Sequence, residues 1–282
     1  MNTYMLGAWV DKIGILIQNS KCLKTQIGES CIMKKVICLL LAAATVISLA
    51  GCSKSDDKLI VGTEAGFAPY EYMEGNKVVG IDMDISQAIA DALGKELEIK
   101  NMDFDGALLA VQQGKVDFVA AGVSINDERK EIMDFSNEYV NSTEVIVVNK
   151  ATPAVSSIED LNDKVIGVQQ GNIADFYVSE PDNVTPKDIK RYTKFAQAAE
   201  DLKNNKIDCI VMDQYPAEEL VGSNDTLAII TKADGTYDVL FEDKYAIAIK
   251  KGNKELLDKI NEVIDKLIEE GKIDEFTTNH TK

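Results

Sequence analysis

Short apolar runs alternate along residues 58–249 with stretches whose apolar side chains recur every three or four positions, and that alternation is the pattern of an α/β chain. The runs predict strands at Lys58–Thr63, Leu97–Met102, Val116–Ala121, Val145–Val148, Val165–Val168, Ile207–Met212, Leu227–Thr231 and Tyr245–Ile249. Between them lie helical spacings. Ile85, Ala88, Ile89, Ala92 and Leu93 share one helix face, and Gly94 supplies a stop. Towards the end, Leu256, Leu257, Ile260, Val263, Ile264, Leu267 and Ile268 form a stripe that ends before Gly271 and is expected to pack on the chain's own core.

A short internal repeat turns this alternation into two lobes. Lys115-Val-Asp-Phe-Val-Ala-Ala-Gly122 and Lys206-Ile-Asp-Cys-Ile-Val-Met-Asp213 each follow a helical stretch and each read as a strand ending in a residue suited to ligand contact. Open α/β sheets bind ligands beyond the carboxyl ends of their strands, so Gly122 and Asp213 are expected to face one another across a cleft.

The N-terminal segment reads as an export leader. Lys34 and Lys35 precede an uncharged stretch from Val36 to Gly51, and Leu49-Ala50-Gly51-Cys52 closes it. That stretch, about 16 residues, is short of the roughly 20 a spanning helix needs. The segment resembles the leader of bacterial lipoproteins, which implies that Cys52 is lipidated and becomes the mature N-terminus. Met33 is then the expected initiator, and residues 1–51 comprise an upstream mis-start and the signal. Residues 52–57 form a polar tether. A first lobe is expected over 58–142, completed by 245–282, and a second over 143–244, with crossovers near 140–146 and 239–246.

Charge and cysteine usage remove several function classes. The chain carries a net charge of −17, and the leader holds five lysines but only Asp11 and Glu29, so the remainder is more acidic still. Nucleic acid is a poor partner for such a surface. Of the five cysteines only Cys52 and Cys209 follow the leader, which rules out a disulfide scaffold; Cys209 reads as a buried thiol. The one histidine, His280, sits two residues from the end, against a His-rich metal site or a Ser-His-Asp group. No cofactor and no metal are expected.

Arginine is rare here. Arg129 and Arg191 are the only two among 30 basic residues. Where a carboxylate must be gripped in a partly dry site, a guanidinium offers a planar bidentate fork that an ammonium lacks. Arg129 follows the 116–121 run in Gly122-Val-Ser-Ile-Asn-Asp-Glu-Arg129, where Asn126 is a suitable helix N-cap, so Ser124 and Arg129 belong near a strand's carboxyl end. Arg191, amid Lys190 and Lys194, reads as solvated charge.

At this point the chain resembles the bacterial extracellular solute-binding proteins of family 3, the polar amino-acid receptors of ABC importers. The matching pieces are Thr63-Glu64-Ala-Gly-Phe67-Ala-Pro69-Tyr70-Glu71, Gly80-Ile-Asp82-Met-Asp84, Met102-Asp-Phe104, the Gly122 to Arg129 run, Asp134-Phe135-Ser136, Gly167-Val-Gln169-Gln170-Gly171, Met212-Asp213 and Tyr245-Ala-Ile-Ala. The resemblance implies a two-lobed periplasmic-binding-protein-like α/β fold with a hinged interlobe cleft. It implies that Arg129 grips a ligand α-carboxylate, aided by Ser124 and the backbone amides around Asn172 and Ile173. Asp213 then pairs with the α-ammonium, helped by the Gly122 carbonyl and the Ser124 hydroxyl, and Phe67 and Phe104 flank the ligand side chain, though core packing is a rival reading for Phe104. Asn126 and Asn172 stand where the family often has Thr, and Glu138 where it often has Pro, departures that bear on the geometry around the carboxylate rather than on the fold.

Side-chain preference rests on Glu64 and Gln169. A buried carboxylate at 64 favours Arg, Lys, ornithine or His; a hydrogen-bonded loop carboxylate admits a neutral amide or cystine, and the reading leans to the cationic ligand. The implied protein is a monomer, lipid-anchored on the extracytoplasmic face of the cell membrane, handing a free amino acid to an ABC permease and its ATPase. Two other classes stand beside it. Glu64, Asp213 and Arg129 would also suit a dehydratase-like elimination on the same fold, against which the lack of a cleft histidine or cysteine counts. A sensor's ligand domain would add a second membrane segment and a signalling region.

Overall fold

The computed structural model describes residues 57–281. The leader, Met33 and Cys52 lie outside the described residues. The strands are Lys58–Thr63 (β1), Tyr72–Glu74 (β2), Lys77–Val79 (β3), Glu96–Asn101 (β4), Phe118–Val119 (β5), Met133–Phe135 (β6), Val140–Asn149 (β7), Val165–Gln169 (β8), Asp188–Tyr192 (β9), Cys209–Asp213 (β10), Leu227–Ile229 (β11), Glu242–Tyr245 (β12) and Ala248–Lys250 (β13). The helices are Ile81–Leu93 (α1), Phe104–Gln112 (α2), Asp127–Ile132 (α3), Ile173–Ser179 (α4), Phe195–Lys203 (α5), Gln214–Gly222 (α6), Lys254–Glu269 (α7) and Lys272–His280 (α8). Among the described residues no helix is long and apolar enough to cross a membrane.

Two sheets define the two lobes. The first runs β4-β1-β5-β13-β6, with β1 parallel to β4 and β5 and with β13 antiparallel to β5 and β6. The second runs β11-β7-β10-β8-β9, parallel through β10-β8-β9 and antiparallel where β7 meets β10 and β11. The chain leaves the first sheet after β6, enters the second along β7, and returns along β12. The opening of β7 and β12 pair with each other, Val140 opposite Tyr245 and Thr143 opposite Glu242, as an antiparallel ribbon.

Each lobe hides apolar side chains under its helices. Ile81, Ile85 and Ile89 bury one face of α1, which stops at Gly94 in the left-handed conformation, while Ala92 of the expected stripe faces solvent. In α7 the stripe narrows to Ile260, Ile264 and Leu267, and Ile268 is exposed. These residues join the first lobe's core, each fully buried Ile or Leu contributing about 1.5–3 kcal/mol. His280, at the end of α8, ties that helix down, lying 3.0 Å from both the Tyr72 hydroxyl and the Asp84 carboxylate.

Some expected strands change shape. The 116–121 run contracts to Phe118–Val119, because the chain bends at Val116 and Asp117 and again from Ala121 towards Gly122, while the Ala120 N–H still donates to the Gly62 carbonyl of β1 at 3.2 Å. The run from Tyr245 to Ile249 is buried throughout yet divides between β12 and β13, since the chain changes sheets at Ala246 and Ile247. An unbroken apolar run carries no mark of that change of partner. The strand expected at Val145–Val148 extends back to Val140 through polar residues that pair with β12.

Candidate functional site

The groups with chemistry to offer gather where strands end. Glu64 follows β1, Gly122 follows β5, Gln169 closes β8, and Asp213 closes β10. The carboxyl ends of both sheets thus point at one crevice, the place where open α/β sheets carry ligands.

Gly122 sets the shape of the first lobe's wall. Its φ of +54° suits glycine, and a Cβ there would lie 2.6 Å from Phe67 Cε1. The Gly122 N–H donates to Asp82 Oδ2 at 2.8 Å, and the Tyr139 hydroxyl donates to Asp82 Oδ1 at 2.7 Å. Asp82 is fully buried, and desolvation pushes its carboxyl up to about 6 despite these donors. Phe67 lies on the glycine, stacked with Phe195 of the second lobe at 6.1 Å between ring centroids and with Tyr70 at 5.9 Å. Phe67 is therefore an interlobe contact.

Arg129 occupies one end of the crevice. Asn126 caps α3, its side-chain oxygen accepting from the Arg129 N–H at 2.8 Å. The guanidinium is 3% exposed. It donates from one terminal nitrogen to the Ser124 carbonyl at 2.5 Å and from the other to the Gly171 carbonyl of the second lobe at 2.7 Å, and Nε has no partner. Its Cζ lies 5.5 Å from the ring centroids of both Phe104 and Phe176. Phe104 therefore joins the core cluster under α2 and also offers its ring to the cation. Burial lowers the guanidinium to about 10, which leaves it charged at neutral pH.

The opposite charge gathers around Asp213. The Tyr245 hydroxyl donates to Asp213 Oδ1, and Asn172 Nδ2 donates to Oδ2 at 3.3 Å. Glu144 stands directly across from Asp213 in the β7-β10 register, fully buried, and among the described residues its carboxyl has no conventional donor, only the Asp213 carboxyl beside it. The Ser124 hydroxyl donates to Asp243 Oδ2 at 2.5 Å. Oxygens of Glu144, Asp213 and Asp243 lie within 4.8 Å of one another, an arrangement that suits a metal cation or an ammonium. Desolvation dominates all three. It raises Asp213, pushes Asp243 up to about 6, and, with the Asp213 charge beside it, holds Glu144 well above the usual carboxylate range.

The third polar group surrounds Glu64, which is 1% exposed. Gln169 Nε2 donates to Glu64 Oε2 at 3.1 Å and to the Thr193 carbonyl at 3.0 Å, while Lys194 Nζ lies 3.2 Å from Glu64 Oε1. Desolvation raises the Glu64 carboxyl, opposed by Lys194 and Gln169.

Asn172 and Ile173 open α4. The Asn172 side-chain oxygen caps the Ala174 N–H at 3.0 Å, and its own amide donates to the Gln169 carbonyl at 3.1 Å, so its polar contacts run to α4, β8 and Asp213. Ile173 is half-buried. Ser124 turns its carbonyl to Arg129 and its hydroxyl to Asp243, touching both charged ends. Arg191 departs from the solvated reading: its Nε pairs with Asp175 at 2.9 Å, whose other oxygen accepts from the Gly171 N–H at 3.0 Å.

Sequence reasoning passed over Glu144, Asp243, Tyr245, Asp82 and Lys194. One signal was available for Glu144, an acid set directly against the apolar run Val145–Val148. Lys194 had another, as a lysine where a helix N-cap residue belongs.

Comparison with known proteins adds four findings. The family model for bacterial extracellular solute-binding proteins, family 3, matches residues 59–282. The arginine-binding extracellular protein ArtP of Bacillus subtilis is 31% identical over 251 residues, covering 86% of this chain and 96% of that protein. The L-cystine-binding protein TcyJ of Escherichia coli is 29% identical, covering 87% and 92% respectively. Among solved structures, the amino acid ABC transporter substrate-binding protein AbpA of Streptococcus pneumoniae bound to L-arginine superposes with a TM-score of 0.72 at 34% identity, over 80% of this chain and 95% of that one.

Proposed function

This chain belongs to the bacterial extracellular solute-binding proteins of family 3, and from that premise we propose that it captures a free amino acid with a cationic side chain outside the cytoplasm and delivers it to an ABC permease. The observation that carries this reading is the pairing, in one buried crevice, of a single guanidinium with a cluster of three carboxylates. A zwitterion leaving water needs both of its charges answered, and Arg129 together with Asp213, Glu144 and Asp243, joined through Ser124, supplies both signs.

Closure follows from the same contacts. Arg129 reaches the Gly171 carbonyl, Gln169 reaches Glu64, Gln170 reaches Asp105 at 2.7 Å, and Phe67 stacks on Phe195. A ligand touching both lobes adds to a set that exists only when they meet, and the β7-β12 ribbon is the connection about which they part. Cys52 carries the lipid that holds the protein at the membrane; Cys52→Ala is expected to release it into the soluble fraction, and undiminished membrane retention would remove the anchor.

A thermal-shift screen of the dialysed protein against the amino acids and cystine tests the ligand class. Arginine, lysine, ornithine or histidine is expected to raise Tm most. A neutral amino acid or cystine giving the largest shift would favour the second reading, which the Lys194-Glu64 pair supports because that carboxylate already has a cation. The relatives compared above are binding proteins by name; turnover of a bound amino acid would instead favour elimination chemistry at Glu64 and Asp213.

A further inference from the structure

Lys194 occupies an unfavourable place for a lysine. It is the N-cap of α5, where Ser, Thr, Asp or Asn would satisfy an amide and where a cation opposes the helix dipole, and its side chain makes no capping hydrogen bond. Its ammonium instead reaches from the second lobe to Glu64 in the first, 3.2 Å from a carboxylate that is almost wholly buried, while the lysine side chain itself remains 42% exposed. Gln169 holds the other Glu64 oxygen at 3.1 Å. The buried acid thus meets one fixed neutral donor and one cation with an open path to water.

We propose that Lys194 is an internal competitor for the distal cation of the ligand, neutralising Glu64 until a guanidinium or ammonium takes its place, and so sets how strongly the site prefers a charged side chain to a neutral one of the same shape. The inference rests on the amino-acid reading above. A cationic ligand that displaces Lys194 exchanges one ion pair for another and gains only the difference. A neutral isostere leaves the Lys194-Glu64 pair in place and loses little by comparison. Selectivity for charge is therefore narrower than a bare buried carboxylate would give, and it is adjustable at a residue that need not touch the bound ligand.

Arginine and citrulline differ at the distal end by a charge and very little in shape, so the test is titration calorimetry of both with the full protein as wild type, Lys194→Met and Lys194→Met/Glu64→Gln. Lys194→Met is expected to raise the arginine-to-citrulline affinity ratio by roughly 5- to 30-fold, and the double variant to abolish that gain. An unchanged or lower ratio in Lys194→Met, with both ligands still bound, overturns the proposal and leaves the amino-acid reading intact. So does a wild type that binds citrulline and ignores arginine. A wild type that binds neither overturns the proposal, and the thermal-shift screen then decides separately on the amino-acid reading. If Lys194→Met fails to fold by circular dichroism, Lys194→Gln, which removes the charge and keeps a polar chain, decides by the same ratio.

Discussion

At the distal end of the crevice Glu64 meets Lys194 and Gln169 within 3.2 Å, whereas at the other end Asp213, Glu144 and Asp243 face one another with donors that are all neutral, Tyr245, Asn172 and Ser124. Both ends hold buried acid. At the first, the protein supplies its own countercharge, so a ligand cation must displace a partner. At the second, three acids are crowded together by the fold and lifted by burial, so on the proposed reading a ligand ammonium supplies a countercharge among them. On the proposed reading the difference separates two tasks: the crowded end would recognise what every amino acid shares, and the paired end would discriminate among side chains.

Neutralising the crowded end should have the largest effect. Asp213→Asn is expected to weaken amino-acid binding by about 2–5 kcal/mol, the range for losing one partner of a buried charge pair. It should also raise the Tm of the ligand-free protein by a few °C, because one of three crowded, desolvated acids is replaced by a neutral group. Calorimetry and thermal unfolding read the two changes separately. Loss of binding together with a lower Tm would mean that the cluster is structural, and the comparison would fail.

Arg129→Lys comes next. The charge remains, but the fork and its place between Phe104 and Phe176 are lost. The expected cost is on the order of 1.5–3 kcal/mol, roughly 10- to 150-fold in affinity. Equal affinities of the two proteins by calorimetry would take Arg129 out of the site.

The smallest expected effect lies in the layer beneath, where the Gly122 N–H and the Tyr139 hydroxyl donate to Asp82 and the buried Glu71 carboxyl lies beside it. Its carboxyl titrates near 6 in the fold against 3.8 when unfolded, so the folded state binds the proton more tightly. The stability this contributes is fully present below about 3.8 and is lost as pH rises through about 6. Asp243, also pushed to about 6, acts in the same direction. Between pH 4 and 7 the Tm of wild type is therefore expected to fall more steeply than that of Asp82→Asn, by a few °C over the interval. Parallel pH profiles for the two proteins would show that Asp82 carries no shifted proton.

How much of this was legible in the sequence depended on whether a residue's task left a local mark. Asp213 ends an apolar run, and Arg129 is one of two arginines behind a capping Asn126, so both stood out. The α/β alternation and the glycine stop of α1 were legible because periodicity and left-handed glycine are local properties. Glu144 and Asp243 sit on β7 and β12, whose polar residues pair across a long sequence separation; the apolar run after Glu144 marks it as unusual, but no local pattern brings it to Asp243. Lys194 was lost among 28 lysines: its N-cap position marks it as unusual, but what it pairs with, Glu64, lies on the other lobe. The division of Tyr245–Ile249 between two sheets was hidden because every residue in it is buried on both sides of the break.

The central claim is that the crevice reads both α-groups of an amino acid, and calorimetry with arginine and agmatine addresses it directly, since agmatine keeps the guanidinium and the amine but has no carboxylate. Agmatine is expected to bind at least roughly 10-fold more weakly than arginine, the loss of a charge-assisted contact at Arg129. Equal affinity for the two compounds would contradict the account, because recognition would then owe nothing to the guanidinium end of the crevice.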